Sequence, residues 1–344
     1  MHRSEKSYMP LYFENGNLCY SFTLQDFIMT KIWHALFIFL ISFPLFAEDK
    51  GPAVPDYPVD KVAENTYVIH GPLTTPNPEN QGFMNNPAII LTTVGVVLVD
   101  PGGTLQTGEM VLRAVKKLTD MPIVTVFNTH VHGDHWLGNQ AVKQAYPDAV
   151  IYAHPNMIEE VAAGAGDTWL NLMMSSTDGK SAGTIVVSAD KEIDNGQNVV
   201  VGDTHFTIYN YGTAHTDSDI MIMVNRNEVL FTGDNLFNGR FGRSSEGTIK
   251  GVIDSCEKIM QLKPVVIVPG HGQTGDMVMF NHALDAFRIL YKIVEEQFED
   301  DVSDFEMKPL VVKALSDYKE WEEFDNLLGK AISQAYLEIE EANF

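Results

Sequence analysis

Residues 128–135 read Asn-Thr-His-Val-His-Gly-Asp-His, which places His130, His132, Asp134 and His135 within six positions. No hydrophobic core needs histidines at that density, whereas imidazole nitrogen and carboxylate oxygen are donors that zinc takes. The stretch directly follows the apolar run Ile123-Val124-Thr125-Val126-Phe127, which reads as a buried strand. The turn at a strand's carboxyl end is where α/β sheets place their ligands. The same local grammar recurs three times. Phe206–Tyr209 leads to Gly212-Thr213-Ala214-His215, Val229–Phe231 to Thr232-Gly233-Asp234, and Val265–Val268 to Pro269-Gly270-His271. Each puts one His or Asp beside glycine just beyond an apolar strand, the context that such a motif requires. His70, His154, His205 and His282 lack this setting and are expected to be structural or superficial.

The elements that must carry these turns alternate. Strands are expected at Val62–Ile69, Ala88–Leu91, Val96–Val99, Ile123–Phe127 and Val150–Ala153. Helices are expected at Gly108–Leu118, Asn139–Tyr146 and Pro155–Ala163, with a short one within Ala165–Lys180 on the edge of pocket or core. From Ile193 short strands return, at Val199–Val201, Phe206–Tyr209, Ile220–Val224 and Val229–Phe231; a helix at Ile249–Leu262 and a strand at Val265–Val268 follow. Strands then helix then strand, twice over, indicates mixed sheets covered by helices. Val278–Asn343 reads as helical, with Leu328, Ile332, Ala335 and Ile339 at helix spacing. This tail is expected to pack on the sheets or, in a homo-oligomer, on a second subunit. The polar loop Gly71–Asn86 carries Phe83 and Met84 in its second half, so it reads either as a substrate flap or as a loop folded onto the core.

The formal charge of -23 argues against nucleic acid, whose phosphates need clustered Lys and Arg. In so acidic a chain Arg240, Arg243 and Lys250, shortly after Asp234, stand out. Arg240 or Arg243 is expected to offer a bidentate fork to a substrate carboxylate, with ordinary surface arginines as the alternative. Lys31, the apolar run Ile32–Phe46 and Ala47 before Glu48-Asp49-Lys50 describe a secretory signal. The run is too short for a comfortable membrane span, so no stable membrane anchor is expected after cleavage. Because Met29 would start a normal signal, residues 1–28 read as a doubtful upstream extension. The expected organisation is a signal at 29–47, a linker at 48–61, a sheet domain at 62–277 and a helical extension at 278–344, in a periplasmic or secreted protein. Cys19 lies in the doubtful extension and Cys256 in an expected helix, which leaves the mature chain without an internal disulfide.

From about Val62 to Gly272 the ordered motifs resemble the metallo-β-lactamase fold superfamily. The resemblance implies an αββα four-layer sandwich with a helical C-terminal extension. It implies two zinc ions per chain, the first held by His130, His132 and His215, the second by Asp134, His135 and His271, with Asp234 bridging. Asp100 matches the family's second-strand aspartate, which orients a ligand imidazole through its far nitrogen. The best-known β-lactamases put Cys where Asp234 stands, so the ligand set is similar to glyoxalase II-type thioesterases, lactonases and phosphodiesterases. Di-iron relatives put Glu where His132 stands, which favours zinc, with iron and manganese as the other metals the set could take. Two zinc ions sharing a water would lower its pKa from near 16 toward about 7, giving a hydroxide nucleophile that Asp134 orients. The expected activity is hydrolysis of an ester, thioester, lactone or amide in a small-molecule substrate. The alternatives are a mononuclear-iron oxidoreductase like the persulfide dioxygenases, and a β-lactam hydrolase.

Overall fold

The computed structural model describes residues 50–225, 228–242 and 246–343. The expected upstream extension and signal, and Arg243, lie outside the described residues. Seven strands form one sheet in simple chain order: β1 Asp60–Ala63, β2 Thr66–Val68, β3 Ala88–Leu91, β4 Val96–Val99, β5 Ile123–Phe127, β6 Val150–Ala153 and β7 Lys191–Glu192. Strands β1 to β4 pair antiparallel and β4 to β7 parallel. The second sheet contains β8 Asn198–Val201, β9 Thr204–Tyr209, β10 Met221–Val224, β11 Val229–Phe231 and β12 Val266–Val268, ordered β12-β11-β10-β9-β8. Only its β11–β12 pair is parallel.

The central strands β3, β4, β5, β10 and β11 are apolar on both faces because both faces are covered. Ile90, Val97, Val99 and Phe127 of the first sheet meet Phe206, Ile208, Ile222 and Phe231 of the second. The alternate residues Ile89, Leu98, Val126 and Ile151 point outward onto helices α1 (Leu105–Leu118) and α3 (Asn139–Ala145). Between these helices lies the short α2 (Gly133–Trp136); α4 (Pro155–Glu160) and α5 (Gly166–Ser176) follow β6. On the far side Met223, Leu230 and Ile267 pack against α6 (Ile249–Met260), α7 (Met277–Glu299) and α9 (Phe324–Asn343), with α8 (Asp304–Ala314) joining the last two. Helices, sheet, sheet, helices: the chain is the αββα sandwich expected, and its C-terminal helices supply part of the outer layer. Among the described residues no helix is long and apolar enough to cross a membrane.

Three local expectations are corrected. The run Val62–Ile69 is a hairpin rather than one strand, because Asn65 takes a left-handed φ of 60° and reverses the chain between β1 and β2. Residues 50–59 are no free linker. Val54 is buried, its carbonyl accepts from Arg113 Nη2 at 2.6 Å, and Arg113 and Lys117 of α1 both pair with Asp56. Helix α1 starts three residues before Gly108, since the Thr104 hydroxyl accepts from the Thr107 amide and caps it.

Candidate metal centre

The histidine turn is tied to its sheet by Asp100. At the end of β4 this residue takes a left-handed φ of 50°, and its Oδ1 accepts from the Thr129 amide at 2.9 Å. Its Oδ2 accepts from Thr129 Oγ1 at 2.7 Å and from His135 Nδ1 at 2.8 Å. The turn then enters α2, which carries Asp134 and His135. His215 sits between β9 and β10, its amide donating to Asn235 Oδ1 at 3.2 Å. The following residues close on themselves, with Asp219 accepting from the amide and hydroxyl of Thr216. Burial outweighs those bonds and pushes the Asp219 carboxyl up to about 7. Asp234 occupies a 3₁₀ turn after β11, and His271 follows β12. A Cβ on Gly270 would lie 2.0 Å from Asp234 Oδ1, so glycine there leaves room for the carboxylate.

These four turns bring all seven expected ligands together. They form two groups, His130, His132, His215 and Asp234, and Asp134, His135 and His271, each with its donor atoms within 4.8 Å of one another and every member buried. Asp234 touches both. Its Oδ2 lies 3.9 Å from His130 Nε2, 3.6 Å from His215 Nε2 and 3.3 Å from His271 Nε2, while its Oδ1 is 3.1 Å from His135 Nε2. Asp134 Oδ2 lies 3.3 Å from His271 Nε2 and 3.5 Å from His135 Nε2. Two nitrogens on one tetrahedral zinc at the usual bond length stand about 3.3 Å apart. His132 Nδ1 and His215 Nε2 at 3.0 Å, and His135 Nε2 and His271 Nε2 at 3.3 Å, match that spacing.

The electrostatics also call for cations. Burial, and next the charge of His135, holds His130 well below the usual imidazole range, and its Nε2 is buried with no hydrogen-bond partner. Burial with the charge of His132 pushes His215 down to about 3. Burial opposes protonation of His135 and His271 too, but the adjoining carboxylates, Asp234 foremost, outweigh it and raise both. For Asp134 and Asp234 burial favours the neutral acid, yet the flanking imidazoles overcome it and both stay ionised. Two buried carboxylates ringed by five imidazoles form a donor set suited to divalent cations, and metal binding would displace the protons on His135 and His271.

Beside the group opens a cavity of about 280 Å³. His132, Asp134, His215, Asp234 and His271 form its floor; Trp169, Leu172, Met84 and Phe237 form apolar walls, and Arg240 is the one Lys or Arg lining it among the described residues. The Trp169 ring lies 5.0 Å from that of His132, and Phe237 stacks on His271 at 5.6 Å. Arg240 Nη1 is buried in this wall without a hydrogen-bond partner. Met84 does line the cavity, and its carbonyl accepts from His271 Nδ1 at 2.8 Å. Phe83, offered as a substrate contact, does not: of the two readings of its loop it takes the core one, fully buried on the helix side and edge-on to Tyr57 at 4.7 Å. A larger cavity of about 650 Å³ runs along α9, and none of the seven clustered side chains lines it. His70, His154, His205 and His282 lie outside the cluster; His70, for example, pins Asp60 to Thr274. Glu246, whose Oε2 lies 2.9 Å from His132 Nε2, carried no sequence signal, being one acid among many in a polar stretch.

A family model, the metallo-beta-lactamase superfamily, matches residues 81–271. A cytoplasmic hydroxyacylglutathione hydrolase of Arabidopsis thaliana is 28% identical over 172 residues, 48% of this chain and 56% of that protein. A hydroxyacylglutathione hydrolase of Gloeobacter violaceus is 28% identical over 190 residues, 55% of this chain and 63% of that protein. The match therefore spans less than two thirds of the length of either of these relatives. Among solved structures, a metallo-beta-lactamase from Pontibacter korlensis superposes with TM-score 0.54 at 19% identity, over 67% of this chain and 98% of that one. The sec-alkylsulfatase Pisa1 from a Pseudomonas species superposes with TM-score 0.64 at 15% identity, over 82% of this chain and 50% of that one.

Proposed function

Since the chain belongs to the metallo-beta-lactamase superfamily, we propose that it is a dinuclear zinc hydrolase that cleaves an ester, thioester, lactone or amide bond in a small molecule. The observation that carries this reading is Asp234, which contacts members of both ligand groups on the floor of a cavity that also exposes Asp134. His130, His132 and His215 would hold one zinc, Asp134, His135 and His271 the other, with Asp234 between them. Zinc supplies a carbonyl-polarising charge and a water nucleophile ionised near neutral pH. Asp134 borders the cavity and stays ionised, so its carboxylate accepts a hydrogen bond from the attacking water and aims it. The apolar walls exclude bulk solvent and bind the apolar part of the substrate. Arg240, with an unpartnered buried Nη1, binds a substrate carboxylate. The 28% identity to hydroxyacylglutathione hydrolases supports thioesters as the first class to try.

Protein purified without added metal should contain about two zinc ions per chain. Exhaustive chelation should abolish turnover of thioesters, lactones, β-lactams or phosphodiesters, and zinc should restore it. Activity that survives chelation would sink the proposal; one iron per chain would replace it with the persulfide dioxygenase-like alternative. The same reading takes the protein as exported, and the N-terminus of the mature native protein, expected near Glu48, tests that.

A further inference from the structure

We propose that Glu246 is a positioning residue for His132 and that the C-terminal helix α9 holds it in place. The inference rests on the zinc reading above. Three of the other clustered imidazoles face the group with Nε2 and have Nδ1 fixed by the sandwich itself. Thr129 Oγ1 holds His130 at 3.0 Å, Asp100 holds His135 at 2.8 Å and the Met84 carbonyl holds His271 at 2.8 Å. His132 is turned the other way. Its Nδ1 faces the group, 3.0 Å from His215 Nε2, and its Nε2 points outward to Glu246 Oε2 at 2.9 Å. A carboxylate there accepts a hydrogen bond from Nε2–H, which keeps the proton on Nε2, leaves the Nδ1 lone pair free for a cation and makes it more basic.

The Glu246 side chain is 49% exposed, so burial alone does not fix it, but the backbone beside it is anchored. The Thr248 amide donates to the Ala214 carbonyl at 2.7 Å, joining this loop to the His215 turn. Gln334 Nε2 of α9 donates to the Gly247 carbonyl at 3.0 Å. Glu338, one helical turn on, accepts from the amides of Ile249 and Lys250 at 2.8 and 3.0 Å. A continuous series of bonds thus runs from α9 through residues 247–250 to Glu246, and from its carboxylate to the imidazole.

Zinc affinity of the full chain, measured by chelator competition, tests this, with cadmium-113 NMR following the two sites separately. Glu246→Ala should weaken the site of His130, His132 and His215 by about tenfold, the low end for such partners because the carboxylate is half exposed. The site of Asp134, His135 and His271 should be unchanged. Glu246→Gln, which keeps an acceptor oxygen, should recover most of the loss, and Gln334→Ala with Glu338→Ala should lower the same site by a smaller factor. Unchanged affinity in Glu246→Ala, an equal loss at both sites, or a glutamine variant no better than alanine would overturn the proposal. A wild-type protein that takes up no zinc would instead remove the reading beneath it.

Discussion

The two sheets deliver the candidate ligands by different means. The seven-stranded sheet presents four from one turn after β5, tied down by Asp100 from the adjacent strand β4. The five-stranded sheet presents three from three turns, after β9, β11 and β12, and its bordering loops are strapped to segments more than eighty residues away. Arg240 shows the strapping most plainly. It forms a β-bridge with Glu322, between α8 and α9, while the amides of Phe241 and Glu322 donate to the carbonyls of Glu322 and Gly239. One half of the centre is thus a local device and the other a long-range assembly, with Asp234 the point where they meet.

That division is open to test. The largest effect is expected at the meeting point: Asp234→Ala should strip metal from both groups and lower turnover by about 10⁴, roughly 5.5 kcal/mol of barrier. Asp234→Ala with full zinc content would show that the halves bind independently. Acidification comes next. Because the neighbouring carboxylates raise His135 and His271, zinc must displace their protons as pH falls through those raised values. Affinity should therefore drop with falling pH by up to about 100-fold per unit, the limit for two protons, and level off above that range; a pH-independent affinity would contradict it.

The clamps themselves should differ in strength. Asp100→Ala leaves the Thr129 amide and hydroxyl and His135 Nδ1 without their buried acceptor, and should cost about 3 kcal/mol of stability in urea unfolding of the zinc-free protein. Glu338→Ala removes a cap-like carboxylate from the start of α6 and should cost about 1 kcal/mol. Equal losses would erase the contrast between a local and a distant clamp. The smallest expected change is in recognition: Arg240→Met should raise KM for a carboxylate-bearing substrate about tenfold with kcat little altered, and an unchanged KM would remove Arg240 from substrate binding.

The same division governs what the sequence reveals. The histidine turn is legible because its ligands are contiguous and follow an apolar strand. His215, Asp234 and His271 are legible through the repeat of strand, glycine and ligand, although only the fold brings them to Asp134. The central strands of both sheets stand close to their expected places because double-sided burial demands unbroken apolar runs, whereas the exposed β7 has no such run to mark it. What escapes depends on distant partners. Phe83 on a polar loop reads as flap or core alike until Tyr57 packs on it, and residues 50–59 look like a linker until Arg113 and Lys117 bind Asp56. Glu246 has no periodicity or motif to mark it, since its meaning comes from His132, 114 residues earlier.

Between α4 and α5 the chain kinks at Gly164, whose φ of 115° glycine alone adopts readily. The kink sets the direction in which α5 leaves, and α5 carries Trp169 and Leu172 to the cavity wall. Any other side chain at that position would strain the backbone whatever the space around it. The contour of the entrance therefore leans on one residue that takes no part in the floor.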